Sequence, residues 1–438
     1  MKIKYILSFV MIIAAMNILN AIQTPISLQN AMDKAANQNL TTKQLELKLS
    51  ELSLDRQVKN AAYYPTLQLN GSYSYNSKES GIEFTPLPKI IFDSKERYDS
   101  NIAIQEVLFA GFRIRESYQM SKTQYHSQQY QIESTKNQLR LAVGALFYQV
   151  QALRLSRDVL YQSRERVMNQ LLYVRALLES KQAVPFDTLD ASNRLLSIDT
   201  QIKRSIQTED VMVMKFNNLI NDPNTEYTPE TIQDFKNSNQ LQGLNTLLEM
   251  AHRQNTDVTI YNIQKKAQDS MIKIQRSTLY PQLVASASYH EAKPGTNAFA
   301  NEWMNYYNVG IGFQWQIWDW KANYNKLLQQ KYEKNRIDLL QQQALQNLDQ
   351  QVTETYKNIQ MTYDQIELQE KLTKQEGDRY IMIQDRYKES QISELDLSTG
   401  EKALTESQLN LKQQYVNLYV YLMQMDILTG KFIPMEQR

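Results

Sequence analysis

The sequence predicts a mainly α-helical protein that also contains a pair of β-hairpins. Glycine and proline number only 11 and 10 among 438 residues, so long helices would rarely be interrupted. Apolar residues recur at alternating steps of four and three over long stretches, which is the spacing of a coiled coil. Four short segments instead alternate between apolar and polar residues, which is typical of β-strands.

The first 21 residues have the pattern of a secretory signal peptide. Lys2 and Lys4 precede a short apolar run from Tyr5 to Met16, and Ala21 is a candidate cleavage residue. The alternative is a membrane anchor, but the run is shorter than the roughly 20 residues that a spanning helix needs. We therefore expect the mature chain to leave the cytoplasm without a transmembrane helix.

The remaining chain is predicted to be a tandem repeat. Residues 64–67 and 280–283 share a Tyr-Pro-x-Leu motif, and the pair Asp187 and Asp396 lies 209 residues apart. Repeats of this length indicate two copies of one architecture. We assign residues 1–21 to the signal peptide, 22–220 to the first copy, 221–243 to a connector, 244–430 to the second copy and 431–438 to a C-terminal tail.

Each copy is expected to contain a helix, a strand, a loop, a strand, a long helix, a turn and a returning helix. The long helix of the first copy is predicted over residues 113–180, which would extend about 100 Å at 1.5 Å per residue. Its apolar seam is regular, with Arg157 and Arg164 at two seam positions. Such a helix needs partners along its length, so an antiparallel coiled coil with the returning helix is expected.

The clearest strand is predicted from Tyr307 to Ile317. One face carries apolar side chains and the other carries Asn, Gly and Gln. About eleven residues is the length that a tilted barrel strand needs to cross a bilayer. A soluble sandwich has the same alternation, but hairpins bounded by long helices favour a membrane barrel. The residues predicted to face lipid are Val309, Ile311, Phe313 and Trp315.

Four strands cannot close a pore by themselves. An open sheet edge in lipid leaves backbone groups without hydrogen bonds, which a bilayer does not tolerate. The sequence therefore predicts an oligomer, without fixing the number of chains.

The chain resembles the TolC-type outer-membrane efflux protein family, the outer-membrane channels of tripartite export systems. The motifs that carry the resemblance are residues 64–67 and 280–283, 108–113 and 317–321, and the helix turns at 184–187 and 393–396. The resemblance implies a homotrimer with a twelve-strand transmembrane β-barrel and a long periplasmic α-barrel. It also implies a periplasmic adaptor (membrane fusion) protein and an inner-membrane pump as partners.

The resemblance further implies a gate at the periplasmic tip, where the helix turns lie. In the family a Tyr and an Arg of the second repeat bond to an Asp of the first; Tyr387 and Asp187 match, whereas Ile392 stands in place of the Arg. The resemblance implies that acidic residues after the second turn form a constriction. Asp396 matches one of them, Thr399 stands in place of a second Asp, and Glu394 is nearby as a further source of charge. Helix capping explains these carboxylates equally well, so both roles stay open.

Composition argues against other classes of protein. The formal charge is +1, which does not favour nucleic acid, and the absence of cysteine excludes disulfides, thiol nucleophiles and a lipid-anchored N-terminal Cys. The three histidines, His126, His252 and His290, lack metal-ligand spacing. We expect no enzyme activity, no cofactor and no metal site.

The predicted function is an exit duct in the outer membrane of a Gram-negative cell. It would pass substrates from the periplasm to the exterior through a trimeric pore opened at its periplasmic tip, with most of the chain in the periplasm. The alternative is an elongated periplasmic or cell-surface coiled-coil structural protein.

Overall fold

The computed structural model describes residues 24–78, 81–91, 94–232, 241–297 and 299–430. The predicted signal peptide and C-terminal tail lie outside the described residues, as does most of the second half of the predicted connector.

The two halves of the described chain have the same order of main elements. In the first half these are α1 (Leu28–Gln38), α2 (Leu40–Ala61), β2 (Thr66–Tyr75), β5 (Glu96–Ala110), α3 (Arg113–Glu179) and α4 (Pro185–Ile220). In the second half they are α5 (Leu244–Gln254), α6 (Thr256–Ser277), β7 (Gln282–Lys293), β8 (Met304–Gln314), α7 (Ala322–Lys388) and α8 (Glu394–Leu428). The short strands are β1 (Thr24–Ile26), β3 (Gly81–Phe84), β4 (Leu87–Ile91) and β6 (Tyr227–Pro229).

The first helix of each copy is divided in two, which differs from the single helix that we predicted. Asn39 and Asn255 stand at the breaks, each with an extended backbone. The Asn39 side chain accepts a hydrogen bond from the Thr41 N–H at 2.9 Å, and Asn255 accepts one from the Asp257 N–H at 3.0 Å. Each Asn thus acts as the N-cap of the second helix, a local hydrogen bond that a periodic apolar pattern does not reveal.

The long helices agree with the sequence prediction. Both α3 and α7 contain 67 residues. The predicted seam is buried at Val143, Val150 and Val167. The two seam arginines pair with acids of the returning helix α4: Arg157 with Glu209, and Arg164 with Asp199 at 2.6 Å. Charged residues are therefore tolerated in the seam because a carboxylate faces each of them.

The four main strands form one antiparallel sheet in the order β2-β5-β7-β8. Leu69 pairs with Ile102, Ile102 with Tyr289, and Tyr289 with Tyr307, so one row across the sheet is apolar or aromatic. The neighbouring row, on the opposite face, contains Asn70, Asn101, His290 and Tyr306. The register thus gives the sheet one apolar face and one mainly polar face, as the alternation predicts.

The strand boundaries differ in part from the prediction. The last strand ends at Gln314, because Gln314 pairs with Gln282, the first residue of β7, and no partner residue remains beyond it. Trp315 therefore lies outside the strand, and its indole N–H donates to the Leu279 carbonyl at 3.2 Å. Between β2 and β5 the chain also forms the small hairpin β3–β4, and β5 begins at Glu96.

The chain divides into two compact units. One contains the four-stranded sheet and the other described residues of the ranges 47–130 and 259–343. The second contains the described residues up to Glu46, those of Gln131–Val258 and those from Ala344 onward, and it holds the buried helical core. Phe147, Phe216 and Met32 are among its largest fully buried side chains.

Candidate functional site: the helical tip

Two tight turns connect the long helices to their returning helices. Lys181 and Ser390 adopt left-handed backbone conformations, with φ of 61° and 57°. After α3 the Gln182 N–H donates to the Leu177 carbonyl at 2.8 Å, and after α7 the Gln391 N–H donates to the Arg386 carbonyl at 2.9 Å. Both helices thus end in the same left-handed capping arrangement, which reverses the chain within a few residues.

Asp187 and Asp396 both cap the helices that follow these turns. The Val184 N–H donates to the Asp187 carboxylate at 3.4 Å. Asp396 accepts from the Ser393 hydroxyl at 2.6 Å and from the Ser393 N–H at 3.1 Å, while its own N–H donates to the Ser393 hydroxyl at 3.2 Å. The Ser393 hydrogen bonds lower the pKa of the Asp396 carboxyl. The capping role expected as an alternative is therefore present for both residues.

Glu394 has a different environment, because it is buried among four helices. Its carboxylate forms an ion pair with Arg194 of α4 at 2.5 Å and accepts a hydrogen bond from the Gln170 side chain of α3. Burial raises the pKa of the Glu394 carboxyl, although Gln170 and Arg194 act in the opposite direction. In this arrangement the Glu394 carboxylate contacts the Arg194 guanidinium rather than solvent.

Tyr387 lies on the neighbouring helix α7 and is half-buried. Its ring contacts Tyr173 of α3 edge-on, with centroids 5.9 Å apart, and it packs on the cluster of Tyr380, Leu397 and Leu404. Burial raises the pKa of the Tyr387 hydroxyl, and the negative charge of Glu394 raises it further. Tyr387 and Glu394 therefore belong to one packed site.

A second ion pair lies one heptad along α8, and the sequence analysis did not identify it. Glu401 is buried and pairs with Arg166 of α3 at 2.9 Å. Ser163 donates to the same carboxylate at 2.7 Å, and Thr405 donates to it at 2.8 Å. The signal available in the sequence was the seven-residue spacing from Glu394 to Glu401, which places both on one face of a coiled-coil helix.

The residues predicted to face lipid are exposed on the apolar face of the sheet. Val309, Ile311 and Phe313 are 71%, 70% and 75% exposed, and Trp315 follows the strand. Apolar side chains this exposed, in a row on one sheet face, are typical of a surface that contacts another apolar phase or partner. They lie in a different part of the chain from the tip residues.

None of the helices in the described part of the chain has an apolar stretch long enough to span a membrane. Among the described residues, no group of three His, Cys, Asp or Glu side chains is placed to hold a metal ion.

Comparison with known proteins identifies the second half of the chain. Residues 247–425 match the family profile described as outer membrane efflux protein. The chain carries an outer membrane efflux protein domain. The resemblance drawn from the sequence motifs is thereby confirmed. No curated protein matches the sequence.

Solved structures of outer-membrane channels share the fold of the efflux domain and of the chain around it. The crystal structure of CusC matches with a TM-score of 0.80 and 15% identity, covering 92% of each chain. The Campylobacter jejuni CmeC outer membrane channel matches with 0.76 and 12%, covering 92% of this chain and 85% of that one. The outer membrane protein VceC from Vibrio cholerae matches with 0.75 and 10%, covering 92% and 96%. The mainly helical fold with one four-stranded antiparallel sheet is thus that of TolC-type channels.

Proposed function

We propose that this protein is one subunit of a homotrimeric outer-membrane exit duct. It passes substrates from the periplasm to the exterior and takes them from a periplasmic adaptor protein and an inner-membrane pump. The observation that carries the proposal is the four-stranded sheet with an exposed apolar face and two edge strands, β2 and β8. Three such sheets joined edge to edge would give a closed barrel of twelve strands, which leaves no unpaired backbone in lipid.

Apolar helix surfaces next to the sheet edges support the same assembly. The helix α2, which leads into β2, exposes Leu47, Leu54 and Val58. The helix α7, which follows β8, exposes Tyr332 and Leu339. Apolar stripes at heptad spacing need a partner helix, and a second copy of the chain offers one in continuity with the β8–β2 edge.

The helical tip is the proposed gate of the duct. Asp187, Tyr387, Glu394 and Asp396 lie at or beside the two turns, and Glu394 ties the second-copy helix α8 to helices of the first copy. We take this packed arrangement to be the closed state, which opens when the turns separate. Cargo would then pass without chemical change.

The experiment that tests the duct is single-channel recording of the purified protein in a planar bilayer, with native mass spectrometry of the same sample. Discrete conducting steps from a trimer are expected. A non-conducting monomer or dimer would overturn the proposal and favour the elongated coiled-coil structural protein.

The exposed apolar residues of α2 give an independent test of the proposed trimer. Leu47→Asn combined with Leu54→Asn should shift the population from trimer to monomer, because each change places a polar amide in the apolar seam between copies. Native mass spectrometry measures the shift, and Lys48→Gln on the same helix is the matched control that should stay trimeric. Trimers of unchanged abundance in the double variant would place the interface elsewhere.

A further inference from the structure

A partly open cavity lies where the four-stranded sheet meets the helices next to it. Its volume is about 190 Å³, and its wall includes Arg113 of α3, Tyr280 and the glutamines Gln282, Gln314 and Gln316. One water molecule needs only roughly 15 Å³ of such space, so a small molecule fits. We call this cavity the junction pocket.

Gly111 sets the start of α3 against the opposite wall of the junction pocket. Its φ of 59° is left-handed, and a Cβ there would lie 2.7 Å from the Ser277 carbonyl oxygen and 3.0 Å from Tyr280 Cβ. Only glycine allows so close an approach. Phe112, with φ of 67°, continues the turn, and α3 then begins at Arg113. The close packing of the turn thus places Arg113 in the same wall as Ser277 and Tyr280.

The two strand residues of the junction pocket belong to the polar face of the sheet. Gln282 pairs with Gln314 across β7 and β8, and Gln282 is an even number of residues from His290 of the polar face. Residues an even number apart along a strand share a face. In the proposed duct this face lines the lumen, so the pocket is open to passing cargo.

The lining of the junction pocket offers hydrogen-bond donors and a positive charge. Arg113 is the one charged side chain among its lining residues in the described part of the chain. Among the described residues, neither the Arg113 guanidinium nor the side-chain amides of Gln282, Gln314 and Gln316 have a hydrogen-bond or ion-pair partner. A guanidinium with amide donors beside it matches an oxyanion, which accepts several hydrogen bonds at once.

The acids nearest in sequence to these residues are engaged elsewhere. Glu116 is buried and pairs with Lys273 at 3.3 Å. Asp319 accepts a hydrogen bond from the first turn of α7 at 2.8 Å. Glu106 is in register with Ala285 and so lies on the apolar face of the sheet. An anion in the junction pocket would therefore meet Arg113 without an acid in the described lining to repel it.

The second copy does not repeat this arrangement. The turn after β8 has the same two left-handed residues, at Trp320 and Lys321, so the turn itself does not require glycine. At the 209-residue offset, Trp320 matches Gly111 and Ala322 matches Arg113. The close approach of Gly111 and the charge of Arg113 are thus features of the junction pocket and not of the repeated fold.

We propose that the junction pocket binds the carboxylate or phosphate group of a small anionic molecule. The Arg113 guanidinium supplies the charge, and the amides of Gln282, Gln314 and Gln316 supply further hydrogen bonds. The inference rests on the proposed function, because an anion that reaches this pocket from the lumen is cargo of the duct. It assigns the duct an affinity for anionic cargo.

Ligand-observed fluorine NMR tests the site on the purified full-length protein in detergent, and it does not require conductance. The probes are p-fluorobenzoate and p-fluorobenzamide, which have nearly the same shape but differ in charge. We expect the benzoate to bind at least about tenfold more tightly, since hydrogen bonds to a charged group are the stronger ones. Unlabelled acetate and inorganic phosphate then compete for the pocket, and the stronger competitor shows which oxyanion it prefers.

Variants of Arg113 connect the binding to the pocket. Arg113→Gln should weaken benzoate binding by about tenfold, because the amide keeps a donor but loses the charge. Arg113→Lys should keep most of the affinity. Arg115→Gln is the matched control that should bind like the wild type, since it removes the same charge from an exposed residue on a different face of α3. The heat-shifted mobility of the folded form verifies that each variant folds.

The outcomes separate the inference from the proposed function. Benzamide binding as tight as benzoate binding, or wild-type affinity in Arg113→Gln, would overturn the anion site. In a planar bilayer, p-fluorobenzoate should lower the current of open wild-type channels but not of Arg113→Gln channels, and an unchanged wild-type current would overturn the role in cargo passage. Absence of conductance in the wild-type protein would overturn the proposed function itself, whereas the NMR result would still decide whether the pocket binds anions.

Discussion

At the scale of single residues, burial decides what each tip carboxylate does. Asp396 is exposed and caps a helix, whereas Glu394, two positions earlier, is buried against Arg194. Helix geometry places residues two apart on different faces, so neighbouring acids meet opposite environments. Asp396 therefore caps the helix, and Glu394 forms the ion pair.

Acid should weaken the start of α8 through Asp396. The lowered pKa of this carboxyl means that its contribution to stability is present above the ordinary value of 3.8 and is lost as the pH falls through the lowered pKa. Thermal unfolding of the purified protein between about pH 6 and about pH 3 measures the loss. Asp396→Asn should remove this part of the pH dependence, and Asp378→Asn, an exposed acid within α7, should not.

At the scale of elements, paired long helices are stabilised by buried seams with charge pairs between them. Val143 of the first copy corresponds to Val352 of the second, Val150 corresponds to Ile359, and all four are fully buried. In α3 the seam places that lack apolar residues hold arginines that reach acids on α4. The apolar seam is therefore buried between the helices, and a carboxylate of the returning helix faces each seam arginine.

Truncating one core aromatic residue should destabilise the helical unit. Phe147 is 1% exposed and lies 6.4 Å from Phe216 between ring centroids. Phe147→Ala should cost about 3–5 kcal/mol of unfolding free energy, because it leaves a cavity in the core. Denaturant unfolding in detergent measures the change. Phe186→Ala, at a site 72% exposed, should change stability by about 0.5 kcal/mol or less.

At the scale of the whole molecule, the sheet is the feature that a single chain leaves incomplete. Its apolar face is exposed, and β2 and β8 each have a hydrogen-bonded neighbour on only one side among the described strands. A soluble monomer rarely exposes such a face, whereas a lipid phase stabilises it. The efflux domain and the sheet therefore point to the same membrane setting.

A lysine placed on one or the other face of the sheet should show which face contacts lipid and which face lines a water-filled lumen. Val309→Lys puts an ammonium on the apolar face and should cost about 2–4 kcal/mol near the bilayer midplane. Asn308→Lys, the adjacent residue on the polar face, should be tolerated because a water-filled lumen solvates the charge. Folding into lipid vesicles, followed by the heat-shifted mobility of the folded form, measures both. Equal effects of the two variants would argue against a membrane barrel.

Periodicity in the sequence was sufficient to predict the long helices and the two faces of the sheet. The limits of α3 follow from the apolar seam, and the two sheet faces follow from alternation around Ile311, since both depend on local geometry. The break at Asn39 and the end of β8 before Trp315 were not predictable, because a side-chain cap and the length of the neighbouring strand decide them.

What the sequence determined alone is the order of the main elements, the length of the long helices and the amphipathic faces of the main strands, because these are properties of neighbouring residues. Only the tertiary structure determined which acidic and basic side chains form ion pairs. Arg194 and Glu394 are 200 residues apart, and Arg166 and Glu401 are 235 apart, so nothing local relates them. They become partners because the coiled-coil packing of α3, α4, α7 and α8 buries them together, and a buried charge is stable only beside its counter-charge.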